Sequence, residues 1–192
     1  CPQPIHRSTM KIFSNSHVFH SQWETVSIAN WLKYPNEFTT HVVHVDYLSR
    51  SFEHGEKGRI LRTERLLTCS QAIPTFISKL IGESISLAYA YEKSTVNLET
   101  KELLVETQNL TFSDIVQVQE TCKYVPEEES EDATRFHQEV RIKAFSCLKS
   151  IQEKLEEFSQ MRFQSNAMKG LAAMEGILRK MTTMNEQENI AN

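Results

Sequence analysis

The chain has 192 residues, 40% of them hydrophobic and 24% charged, and a formal net charge of −4. That length buries a core without staples, and the composition is too apolar and too evenly patterned for disorder. The slight acidity argues against a general nucleic-acid binder, while leaving room for a local basic pocket. No run reaches the ~18 apolar residues of a membrane-spanning helix.

Residues 1–9, CPQPIHRST, precede Met10 and read as a tag or remnant unrelated to the rest of the chain. Neither a signal peptide nor an Arg-rich transit peptide is visible. The expected organisation is one domain over residues 10–184 and a tail over 185–192. Lys11 to His20 alternates as an imperfect strand. Ser21, with Glu24 three residues on, has the form of a capping box opening a helix through Trp23, Val26, Asn30 and Trp31. Pro35 and Asn36 end that helix.

HVVHVDYLSRSF (His41 to Phe52), the turn EHGEKG and GRILRTERLLTCSQ read as strand, turn, strand, the signature of a hairpin. Further strands are expected over Ser84 to Asn97, Glu102 to Phe112, Ile115 to Val125 and Thr134 to Leu148. The acidic stretch EEESED, Glu127 to Asp132, is expected to be a solvated loop. Cys1, Cys69, Cys122 and Cys147 form no C-x-x-C pair, which excludes zinc-ribbon and thioredoxin-type readings.

From Leu148 the period changes. Ile151, Leu155, Phe158, Met161, Met168, Leu171, Met174, Leu178 and Met181 recur at three and four, predicting an amphipathic helix to about Met184. Gly170 and Gly176 cost it helicity and leave room for a bend. The order of elements predicts an α+β fold, a curved antiparallel sheet of about seven strands covered on one face by that helix. In AIPTFISKLIG, Ile73, Phe76, Ile77, Leu80 and Ile81 share a helical face, with Pro74 in the first turn and Gly82 past the last. It is either a core-covering helix or a hinged lid whose apolar face touches a bilayer.

KYPNEFTTHVVHVDYLSR, TERLL, the proline-led helix, FHQEVRI and RFQSNAMKG together resemble the PRELI-like family of mitochondrial lipid-transfer proteins, over Lys11 to about Met181. KIFSNSHVFHSQWETV, TERLL and QEV are most similar to its slowmo-type branch. The resemblance implies a START-like cup with a lid helix, carrying an anionic phospholipid through the mitochondrial intermembrane space. It implies no enzymatic activity and no cofactor beyond the phospholipid ligand. It also implies a heterodimer with a small twin-Cys helical-hairpin chaperone.

By position in the family motifs, Lys33, His41, Arg162 and Lys169 are expected to hold the head-group phosphate. Arg162 and Lys169, seven apart, share a helical face. Members that carry phosphatidic acid have lysines just before the lid, where this chain has Thr68, Cys69, Ser70, Gln71 and Ala72. That difference implies a different head group, with Thr68, Ser70 or Gln71 available to a serine carboxylate or amine; the slowmo-type resemblance implies phosphatidylserine, with phosphatidic acid as the alternative.

Two other classes compete. A cup-shaped enzyme would use pairs such as His44 with Asp46 or His137 with Glu139, which i, i+2 spacing puts on one strand face. No nucleophile elbow, phosphate loop or metal motif accompanies them. A non-lipid interaction module would use the long helix for a partner.

Overall fold

A computed structural model describes residues 10–55, 58–70, 78, 87–145 and 149–191. Seven strands form one antiparallel sheet: β1 (Lys11–Phe19), β2 (Val42–Gly55), β3 (Gly58–Ser70), β4 (Leu87–Asn97), β5 (Glu102–Asn109), β6 (Val116–Glu127) and β7 (Ser130–Ala144). Their order is β1-β7-β6-β5-β4-β3-β2. Strands β2 to β7 thus form a meander, and β1 is added beside β7, with Phe13 opposite Val140 and Phe19 opposite Thr134. Helix α1 (Trp23–Trp31) follows β1, and α2 (Lys149–Ala191), 43 residues long, follows β7.

Strand alternation decides which face is covered. On β7, Phe136, Gln138, Val140, Ile142 and Ala144 are buried, while Arg135, His137 and Arg141 between them are exposed. The covered face meets α1 and α2. Phe19, Trp23, Val26, Tyr124, Phe136, Met174 and Leu178 form the main core, each burial contributing roughly 1.5–3 kcal/mol before ordering costs. The ring centroids of Tyr124 and Phe136 lie 4.9 Å apart. The Trp23 indole N–H donates to the Tyr124 carbonyl at 3.1 Å, so burying this polar edge leaves no donor unpaired. A smaller cluster, Ala144 and Leu155 with Ile115, Val116, Ile151 and Phe158, joins the start of α2 to the opposite end of the sheet.

Several local expectations change. Helix α1 begins after Gln22 with no side-chain cap, and the Ser21 carbonyl instead accepts the Thr134 hydroxyl at 2.8 Å. The helix ends at Trp31, before Pro35 is reached, and the chain enters a turn through the cis Tyr34–Pro35 bond. EEESED is mostly strand: Glu127 pairs with Ser130 across a tight hairpin, and Arg135 holds Glu127, its Nε donating at 3.0 Å. The exposed carboxylates that suggested a loop are compatible with a hairpin tip, because a tip is solvated too. Helix α2 runs beyond Met184 to Ala191, so residues 185–191 continue the helix rather than form a separate tail.

Gly170 and Gly176 sit within an uninterrupted α2 and face different surroundings. A Cβ on Gly176 would approach the Phe38 ring at 3.2 Å, so glycine there lets the α1–β2 connection lie against the helix. A Cβ on Gly170 would meet nothing within 4 Å.

Candidate functional site

Between the two clusters the sheet and α2 stand apart. They enclose a cavity of about 300 Å³ within an open cleft of about 1700 Å³ that includes solvent. The enclosed part lies at the small end of the range for small-molecule sites. Tyr124, Phe136 and Met174 belong both to the main core and to the cavity wall, which closes this end. Leu87 and Tyr89 line the other end while 40% and 42% exposed, so that end meets the surface. Its walls there are apolar, with Ala88, Phe112, Ile115 and Val116 beside them.

The α1–β2 connection carries two of the sequence-predicted residues. Its backbone is held by its own side chains: Asn36 Oδ1 accepts the Phe38 N–H at 2.9 Å, and the buried Thr39 hydroxyl donates to the Lys33 carbonyl at 3.3 Å. Such short polar side chains fix turns by replacing backbone partners. Lys33 lines the cavity, its ammonium 4.9 Å from the centroid of the Tyr34 ring. Burial works against its charge, but the acidic groups around it, Tyr34, Tyr124, Glu92 and Cys122, outweigh burial and hold its pKa well above the ordinary lysine value.

Burial also pushes the Tyr34 hydroxyl up to about 12 and raises the Tyr124 hydroxyl and the Cys122 thiol. These three are neutral at physiological pH, so of the four only Glu92 carries a charge that favours the Lys33 ammonium there. Among the described residues no carboxylate makes an ion pair with it. Glu92, the remaining acid, is committed to Arg65, whose Nε donates to it at 2.8 Å. This buried pair explains the TERLL signature: Arg65 is 1% exposed and its guanidinium also stacks 5.3 Å from the Trp31 ring.

His41 lines the cavity nearer its open end, where its carbonyl accepts the N–H of Ser70, the last residue of β3. Its Nδ1 is buried without a hydrogen-bond partner among the described residues. Burial, then the charges of Lys169 and Arg162, lowers its pKa, so the ring is neutral at physiological pH. Arg162 lines the cavity from α2, its guanidinium 5.2 Å from the Phe158 ring one turn earlier. Lys169 is exposed and lies outside the lining, although its charge reaches His41. The structure therefore brings Lys33, His41 and Arg162 to one cavity and leaves Lys169 at its flank.

Thr68 and Ser70 alternate with Leu67 and Cys69, which line the cavity, and so lie on the opposite face of β3. They are not placed to meet a head group inside. Ile73, Phe76, Ile77, Leu80 and Ile81, the expected lid face, lie outside the described residues, as does Gln71. The pairs nominated for an enzyme lie elsewhere. His44 and Asp46 bond to each other at 3.0 Å, both exposed, while His137 meets Ser16 and Glu139 meets Arg141. Sequence reasoning missed Tyr34, Glu120, Cys122 and Gln138 as lining residues. The signal was present on β6: Val118, Glu120, Cys122 and Tyr124 share one face, and a carboxylate in an otherwise apolar inward row is conspicuous.

Comparison with known proteins places these features in context. Residues 24–184 match the model of the PRELI-like family. A UPS-like protein of Schizosaccharomyces pombe is 44% identical over 173 residues, covering 90% of this chain and 91% of its own. Saccharomyces cerevisiae protein UPS2, mitochondrial, is 38% identical over 170 residues, covering 88% and 73%. A slowmo homolog of Dictyostelium discoideum is 29% identical over 165 residues, covering 86% and 70%. Among solved structures, the Zhui aromatase/cyclase from a Streptomyces species superposes with a TM-score of 0.60 at 10% identity, covering 91% of this chain and 96% of its own. That likeness concerns the fold alone.

Proposed function

The chain belongs to the PRELI-like family, and we propose that it is a carrier that extracts one anionic phospholipid from a membrane and delivers it to another. The observation that carries this reading is Lys33: a lysine at the closed end of a cavity whose open end is apolar, with no carboxylate in ion-pair contact among the described residues. A ligand phosphate reaching this ammonium gains a charge-assisted hydrogen bond without having to displace a protein carboxylate. His41 Nδ1 adds an unpaired polar atom and Arg162 a second cation. The lipid then enters head first, with acyl chains along Ala88, Phe112, Ile115 and Val116 and out through the cleft.

Phosphatidylserine is the proposed cargo and the mitochondrial intermembrane space the proposed compartment. Support for the compartment is the relative named UPS2, mitochondrial. A small twin-Cys helical-hairpin partner is proposed on family membership alone. Catalysis is not part of the reading: the His–acid pairs lie away from the cavity, and carrying a lipid needs no bond to be made or broken.

Transfer between vesicles tests the proposal. The purified chain, with and without the partner, is mixed with donor vesicles holding labelled phosphatidylserine or phosphatidic acid and with unlabelled acceptors. Accelerated movement of phosphatidylserine is expected. Faster movement of phosphatidic acid would transfer the reading to that cargo, and no movement of either by a folded protein would refute it.

A further inference from the structure

Lys33, His41 and Arg162 account for a bound anion but not for Glu120. Glu120 is a carboxylate on the wall of the same cavity, half-buried on β6 between Val118 and Cys122. A site built only for phosphate gains nothing from a negative charge, which repels the ligand. Its neighbours sharpen the contradiction. Gln138, across on β7, donates its side-chain amide to Glu120 Oε1, and the Cys122 thiol donates to the same oxygen at 3.5 Å. These bonds fix the Gln138 amide with its nitrogen towards the carboxylate. Its Oε1 is consequently turned away, buried, and without a partner among the described residues, in a residue only 5% exposed.

Glu120 therefore puts a charged acceptor on the wall, and Gln138 beside it holds a buried acceptor that costs about 1–3 kcal/mol until a donor reaches it. A positive group with several N–H bonds satisfies both. Tyr124 is on the same strand face as Glu120, Phe136 on the same face of β7 as Gln138, and these two rings wall the closed end of the cavity that Lys33 also lines. The acceptor pair thus sits at the closed end, in the neighbourhood of the lysine. A ligand reaching this end meets a cation and an anion together, the complement of a zwitterion.

We propose that Glu120 and Gln138 form a subsite for the primary ammonium of an amine-bearing phospholipid head group, and so select that class of lipid. This deepens the carrier reading and rests on it. The phosphate goes to Lys33, and the ammonium donates to the Glu120 carboxylate and to Gln138 Oε1. A head group without an amine leaves Gln138 Oε1 unpaired and sets two negative charges together. A quaternary ammonium brings the charge but has no N–H to donate.

The test uses two pairs of chain-labelled lipids matched in net charge. Phosphatidylserine is paired with phosphatidylglycerol, and phosphatidylethanolamine with phosphatidylcholine, each as a tracer in vesicles. The readout is the ratio of transfer rates within each pair, for wild type, Glu120→Gln and Gln138→Met, with a thermal melt of each protein. Wild type is expected to favour the primary amine in both pairs. Glu120→Gln keeps the shape and is expected to lower both ratios about tenfold, the worth of one charge-assisted bond. Gln138→Met is expected to lower them in the same direction, and supplies the readout if Glu120→Gln fails to fold.

Absence of transfer of any lipid by folded wild type would sink the carrier reading and the subsite with it. Transfer by wild type without preference for the amine would overturn the subsite alone. So would variants that slow all four lipids equally, the result expected if Glu120 merely orients Lys33.

Discussion

The two ends of the space under α2 are built from the same sheet and the same helix, and they differ in what fills them. At one end Phe19, Trp23, Val26, Phe136, Met174 and Leu178 close the gap with side chains of native packing. At the other, Ala88, Ala90, Ala167 and Gly170 are too small to close it, and the polar atoms facing the gap include Lys33, Glu120 and His41. A half that packs in this way stabilises the fold. A half that withholds bulk and buries polar groups costs stability, a pattern expected where a ligand completes the structure.

The comparison breaks most visibly at Phe136. Phe136→Ala removes a ring that is 3% exposed in the packed half and is expected to cost about 3–5 kcal/mol, read as a large fall in the urea midpoint with transfer lost through unfolding. A small change there would mean that the packed half is not what holds the molecule together.

Lys33→Met should do the reverse. It removes the ammonium and keeps the chain length, and no described carboxylate loses an ion-pair partner, so the empty protein is expected to stay folded. Transfer should fall about tenfold to a hundredfold, the worth of a charge-assisted hydrogen bond. Normal transfer by this variant would make Lys33 part of the scaffold rather than of the site.

Gly170→Leu sharpens the same contrast from the helix side. A Cβ there meets nothing within 4 Å, so the added side chain enters the cavity. Helix propensity alone should raise stability by about 1 kcal/mol, while uptake of lipid falls in a vesicle-pelleting assay. A folded variant with undiminished uptake would place the ligand elsewhere.

A smaller effect is expected at His41. Its folded pKa lies below its ordinary 6.5, because burial and then Lys169 and Arg162 disfavour the charged ring. Between those two values the unfolded chain binds the extra proton. The empty protein therefore loses this contribution as pH falls through 6.5, and the loss is complete below the folded pKa. Bound phosphate offsets the cationic neighbours and should raise the His41 pKa. An NMR titration of the His41 ring, with and without short-chain phosphatidylserine, would show an upward shift on binding. An unmoved or lowered pKa would separate His41 from the ligand.

Much of this division was legible before any coordinates. Alternation along β7 and the change of period after Leu148 depend only on which residues avoid water, so the sheet and its cover emerged from local pattern. Local ends were harder. Ser21 had the composition of a cap, but its backbone is used by Thr134, more than a hundred residues away. The charge of EEESED does not separate a hairpin tip from a loop, because both are solvated.

The same limit applies to the site. Arg162 and Lys169 lie only about 20° apart around an ideal helix. The face that α2 turns to the cavity shifts along its length, however, from Leu155, Phe158 and Arg162 at the start to Gly170, Leu171 and Met174 further on. Spacing within one helix cannot report that shift, because it depends on the curvature of the sheet opposite. Glu120 and Gln138 became meaningful only once pairing across β6 and β7 put one beside the other.

Native mass spectrometry of the chain after exposure to vesicles of mixed phospholipids tests the central claim most directly. One phospholipid per protein, enriched over its share of the vesicle and lost with Lys33→Met, is the result this account predicts. A folded wild-type chain that emerges without lipid, or that carries the vesicle mixture unselected and equally well after Lys33→Met, would contradict it.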